Sequence, residues 1–130
     1  MNTEDTILRY LMRKELSLRK VDFKENATFR IGRKNYTLDY YIKPYRIGIV
    51  MLDWKRSVHT NKLQHLERML NAMKLHKLIL LCNSISGNAK DFLLSRNIPI
   101  QIIYISDFLQ KQGDIKDLIS FLQPKDSVVE

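Results

Sequence analysis

At 130 residues the chain is long enough for one domain with a single core, and 45% hydrophobic against 28% charged residues fits a globular protein rather than a disordered one. The 22 Lys and Arg against 14 Asp and Glu leave a net charge of +8, which favours a polyanionic partner, nucleic acid ahead of a membrane surface. A lone cysteine, Cys82, excludes an internal disulfide framework, and no apolar stretch is long enough to span a bilayer.

In chain order, residues 3–16 read as a helix. Thr3 is a candidate cap, Glu4 and Asp5 suit the first turn, and Ile7, Leu8, Leu11, Met12 and Leu16 recur at helical spacing. The pattern then changes to short strands over Val21–Lys24, Thr28–Ile31 and Tyr36–Ile42. Glu25-Asn26 and Gly32-Arg33-Lys34-Asn35 supply turn chemistry between them. After a turn at Lys43-Pro44-Tyr45, a strand over Arg46–Lys55 completes an antiparallel meander.

A helix is expected over Thr60–Leu75, with Leu63, Leu66, Leu70 and Met73 on one stripe. Lys77–Cys82 is a continuous apolar run, the pattern of a strand covered on both faces, and it makes Cys82 a buried, inert thiol. Ser86–Arg96 reads as a short helix capped by a serine, with Ala89, Phe92 and Leu93 inward. Ile98–Ile105 reads as a strand, Asp114–Leu122 as a closing helix and residues 124–130 as a loose tail. The fold expected is α/β (α+β): a mixed central sheet with an antiparallel meander, flanked by helices, in one domain over residues 1–123. The N-terminus has no charged segment leading into an apolar one, so a reducing, cytoplasmic location is expected.

The most informative segment is Asp39 to Lys55, DYYIKPYRIGIVMLDWK. Strand alternation puts Met51, Asp53 and Lys55 on one side and Val50, Leu52 and Trp54 on the other. An acid and a lysine two apart at the end of an apolar strand are costly to place near a core without a purpose. Asp39, on the preceding strand, supplies a second carboxylate. Magnesium keeps several waters and takes only one or two protein carboxylates, so Asp39 and Asp53 suffice as ligands, with manganese as a substitute. Lys55 would orient the attacking water and offset negative charge on the phosphate.

Asp39 followed by Asp53-Trp54-Lys55 after an apolar strand resembles the D-(x)n-(D/E)-x-K signature of the PD-(D/E)xK nucleases. The order of elements is similar to their restriction-endonuclease-like core. The spacing and the Lys55-Arg56-Ser57 ending resemble archaeal Holliday junction resolvases, and the stretch Leu81 to Lys90 with Ile98-Pro99-Ile100 resembles Mrr-type restriction endonuclease domains. Asp53 stands where glutamate is commoner, and Leu38 stands where the family has proline. The resemblance implies a magnesium-dependent endodeoxyribonuclease acting on DNA as a homodimer, with no small-molecule cofactor and no membrane partner. It also implies a helix glutamine, for which Gln64 is the candidate, and an acid on the first helix, for which Glu4 or Glu15 could serve.

Arg30, Arg33, Lys34, Arg56 and Lys62 form the candidate phosphate-binding set, and His59 is close enough in sequence to touch a phosphate. The histidines lack zinc-ligand spacing, and no P-loop or nucleophile elbow is present. Two other readings keep the fold: a catalytically inactive DNA-binding or assembly subunit, and a nuclease directed at RNA.

Overall fold

A computed structural model describes residues 3–110, with side chains from Ile7 onward. Helix α1 (Thr3–Leu18) leads into strands β1 (Lys24–Ile31) and β2 (Lys34–Ile42). A single turn of 3-10 helix over Lys43–Tyr45 precedes β3 (Ile47–Leu52). Helix α2 (Thr60–Ala72), β4 (Lys77–Cys82), α3 (Gly87–Arg96), β5 (Ile100–Tyr104) and α4 (Ile105–Gln110) follow. The five strands form one sheet in the order β1-β2-β3-β4-β5. The first three run antiparallel, and β3, β4 and β5 run parallel, so the mixed α/β class expected from the sequence is the one observed.

Both sheet faces are covered. Ile47, Ile49 and Met51 of β3 and Ile79 and Leu81 of β4 pack against Leu8, Met12 and Leu16 of α1 and Phe108 of α4. Val50, Leu78, Leu80 and Cys82 pack on the opposite face against Leu63, Leu66 and Leu70 of α2 and Ala89 of α3. A strand covered twice needs apolar side chains at every position, which is why β4 reads as an unbroken run. Burial pushes the Cys82 thiol up to about 11. Gly48, between two apolar residues of β3, has a packing reason. A Cβ there would lie 2.8 Å from Leu38 Cδ2 and 3.1 Å from Leu75 Cδ1.

The structure corrects several expected elements. Residues 24–31 are one strand, because Asn26 adopts φ 54° within it and the chain continues instead of turning. The strand expected over 46–55 stops pairing at Leu52, so Asp53-Trp54-Lys55 lies beyond the ladder. β5 ends at Tyr104, and Ile105 opens α4, where Ile105 and Phe108 close the α1 face. Ser86 does cap α3, its Oγ accepting from the Ala89 N–H at 3.1 Å. The helix expected over 114–122 and the tail over 124–130 lie outside the described residues.

Two outcomes check this packing. Gly48→Ala should lose about 1–3 kcal/mol through overpacking against Leu38, seen as a lower urea midpoint at unchanged m. Native Cys82 should react with a thiol reagent at pH 8 at least ~100-fold more slowly than in the urea-unfolded chain, since only thiolate attacks.

Candidate functional site

β2 and β3 pair over only three register positions, Tyr40 with Ile49, Tyr41 with Gly48 and Ile42 with Ile47, and part beyond Tyr40. Parting strands leave backbone donors that must find new acceptors. Asp39 provides one: its Oδ2 accepts from the Met51 N–H at 2.7 Å. Its Oδ1 takes a short ion-paired hydrogen bond from Arg9 Nη2 on α1.

The alternation of β2 slips at the same place. Tyr36 and Leu38 pack with α2, whereas Tyr40 and Ile42 pack with α1, so Asp39 and Tyr40 both turn towards α1. Asn26 with its positive φ lies opposite the slip, in a hairpin that pairs Glu25 with Tyr40 and Ala27 with Leu38. The Tyr40 phenol is buried there, donating to the Arg9 carbonyl at 3.1 Å or to Glu25 Oε2 at 3.3 Å. Burial and then the Glu25 carboxylate raise its pKa well above the usual phenol range.

Asp53 follows Leu52 directly, two residues beyond Met51 and thus roughly 7 Å further along the chain if it stays extended. Its Oδ1 accepts from Asn83 Nδ2 at 3.2 Å, and the same amide donates to the Trp54 carbonyl at 2.7 Å. Asn83 is placed to do this because Leu52 is in register with Cys82. The loops after β3 and β4 are tied further along. Val58 N–H donates to Ser84 O at 2.9 Å, Ser86 N–H to Val58 O at 3.0 Å, and the Ser57 and Ser84 hydroxyls are 2.8 Å apart. The result is one carboxylate at the strand split, bonded to Met51, and a second two residues beyond Met51 in a pinned loop.

The proposed amine is less simply placed. The chain bends at Lys55 and Arg56, and both side chains are exposed. Lys62, in the first turn of α2, lies with its Nζ 5.7 Å from the centre of the Trp54 ring, whose other cation is Arg56 at 4.2 Å. Desolvation by burial lowers the Lys62 pKa, and the negative charge of Asp39 opposes that shift. The structure therefore brings the Lys62 ammonium into the field of Asp39.

Gln64 is exposed on α2 and, two residues from Lys62, projects about 200° away around the helix. His59 occupies the N-cap position of α2, exposed, with no side-chain capping bond. Arg30, Arg33 and Lys34 sit at the exposed β1–β2 hairpin tip, where Arg30 Nε donates to Gly32 O at 3.3 Å. Glu15 is buried in an ion pair with Arg19 and is not at the split, and the Glu4 side chain lies outside the described residues.

Sequence reasoning missed Arg9 and Asn83. Arg9 was one of several basic residues on α1, and nothing in its spacing singles it out. Asn83 acquires its role only through the β3–β4 register. Among the described residues no group of three or more His, Cys, Asp or Glu side chains is arranged to hold a metal ion.

No protein-family model and no curated protein matches this sequence. Among solved structures the chain is similar to a protein of unknown function, AF1548, with a TM-score of 0.52 and 15% identity. The match covers 76% of this chain and 59% of that protein. The likeness is one of fold. Among the described residues no helix is long and apolar enough to cross a membrane.

The anchoring role of Asp39 has a direct check. Asp39→Ala removes the acceptor of the Met51 N–H and one of the partners of the Arg9 guanidinium, which keeps Asn26 and Glu25, and should cost about 2–3 kcal/mol. Asp39→Asn keeps an oxygen for Met51 and should recover about 1 kcal/mol of that loss in urea titrations.

Proposed function

We propose that the protein is a metal-dependent endodeoxyribonuclease of the PD-(D/E)xK type, acting on DNA as two copies of this domain. One observation supports the reading: Asp39, the first acid of the sequence signature, accepts from the Met51 N–H where β2 parts from β3, and Asp53, the second, follows Met51 by two residues. Two carboxylates are a hard donor set that fits magnesium or manganese, with water and phosphate oxygens completing the coordination. A divalent cation, when bound, supplies a water of lowered pKa and positive charge against the scissile phosphate.

Asp39 and Asp53 would hold that cation, and Asn83 keeps the Asp53 carboxylate oriented. Lys55, two residues beyond Asp53, is the exposed amine of the signature, free to reach a phosphate. Lys62 is the pre-positioned one, on Trp54 and within the field of Asp39. Either ammonium could donate to a phosphate oxygen and offset its negative charge.

A specific observation favours a second reading. Both Asp39 oxygens already have partners, and one of them is a guanidinium. A cation entering there has to displace or share Arg9. A chain whose Arg9 never yields would be a DNA-binding or assembly subunit that keeps the fold and does not cut.

Cleavage of a labelled panel (duplex, single strand, four-way junction and RNA) in magnesium or manganese against EDTA separates the two. The nuclease reading expects metal-dependent cutting that Asp53→Asn reduces at least ~100-fold with binding retained. The loss in Lys55→Ala against Lys62→Ala identifies the working amine. Cutting that survives Asp53→Asn would refute the site. Binding that is equal in EDTA and magnesium, with no product in any lane, would establish the second reading.

A further inference from the structure

The β1–β2 hairpin extends over the first turns of α2, and the seam between them is basic on both sides. Lys34 and Tyr36 are two apart on β2 and share a face, the face on which Tyr36 packs towards α2. The Tyr36 ring centre lies 6.4 Å from that of His65. This contact sets Lys34, at the hairpin end, beside the helix. On α2, Lys62, His65 and Arg68 follow one another at a spacing of three residues and so line one side of the helix.

We infer that this seam binds the phosphodiester backbone of a nucleic acid through Lys34, Lys62, His65 and Arg68, as a subsite beyond Trp54 from the two aspartates.

The charge distribution supports the assignment. Lys34, Lys62 and Arg68 make no salt bridge with any described residue. The nearest acid on α2, Glu67, is engaged by Arg96 of α3 at 3.0 Å. Burial first, then Lys62, Arg68 and Lys34, hold the His65 imidazole below its usual pKa, so all three cations act on one point with no acid among them. Three like charges from two elements repel each other, and phosphates relieve that repulsion while releasing counterions. A neutral imidazole can donate one hydrogen bond between them. The path continues past Lys62 and Arg56, the two cations on Trp54, towards Asp53. The inference deepens the nucleic-acid reading above and rests on the nucleic-acid part of it, not on cleavage.

The test is salt-dependent binding of a fluorescent 20-base-pair DNA duplex in EDTA, where cutting cannot interfere. Wild type is compared with Lys34→Ala/Arg68→Ala and with a control pair, Lys24→Ala/Lys90→Ala, whose exposed lysines lie on the start of β1 and on α3. The seam pair should bind at least ~10-fold more weakly at low salt, with the log–log salt slope smaller by about 2, while the control stays near wild type. His65→Lys, which adds a charge to the seam, should steepen the slope by about 1. Lys24, Lys34, Arg68 and Lys90 make no side-chain hydrogen bond or salt bridge with a described residue, and circular dichroism confirms the fold of each variant. Equal slopes for wild type and the seam pair, or equal losses in seam and control pairs, would overturn the inference while leaving the nuclease reading standing. Loss confined to the seam pair in a protein that never cuts would sustain the inference and remove only the nuclease. A wild type that binds no nucleic acid would overturn both.

Discussion

The carboxylate of Asp39 is the constraint on which the site end of this molecule depends. Where β2 leaves β3, the backbone donor of Met51 loses its partner in the ladder, and an unpaired buried N–H costs about 1–3 kcal/mol. Asp39 accepts that hydrogen bond and is held in turn by Arg9 from α1. One side chain thus ties together a helix and two strands at the point where the sheet opens. Beyond the opening, Tyr36 of the β1–β2 hairpin meets His65 of α2.

On the proposed reading, the same carboxylate would also serve as a metal ligand. Its partners polarise it and fix its direction, which preorganises a ligand at no further entropic cost. The same partners compete with a metal ion. Arg9 neutralises a charge that a divalent cation would use, so the two readings of the site differ in a single contact rather than in fold. Asp53 has the opposite character. It lies beyond the ladder, held by the Asn83 amide in a loop that is zipped to its neighbour through Val58, Ser84 and Ser86.

Much of the fold was legible from local patterns. α2 and α3 follow from apolar residues at helical spacing, and the Ser86 cap follows from a serine preceding that pattern. β4 follows from an apolar run that no one-faced strand would tolerate. The misreadings share a cause. Glu25-Asn26 has turn-like composition, and a single residue at positive φ suits a turn or a phase break in a strand equally well. Only the pairing of β1 with β2 chooses the second. Likewise the end of β3 is set by where β4 stops being its neighbour, not by the residues 53–55 themselves.

The sequence by itself determined the class of fold, the apolar faces that build two cores, the basic charge, and the pair of acids worth watching. The first three depend on composition and on spacings of two to four residues, which local geometry reads directly, whereas the two acids stand 14 positions apart and were singled out by strand alternation and a signature. Only the tertiary structure decided that Arg9 engages Asp39, that Asn83 holds Asp53, and that Lys62 rather than its more obvious neighbour Lys55 lies on Trp54. It also decided that Tyr36 meets His65, which brings the charge of Lys34 to bear on the helix. Apart from Lys62 on Trp54, those contacts join residues 29 or more positions apart in the chain, and they arise from strand register and helix docking, which no local pattern encodes.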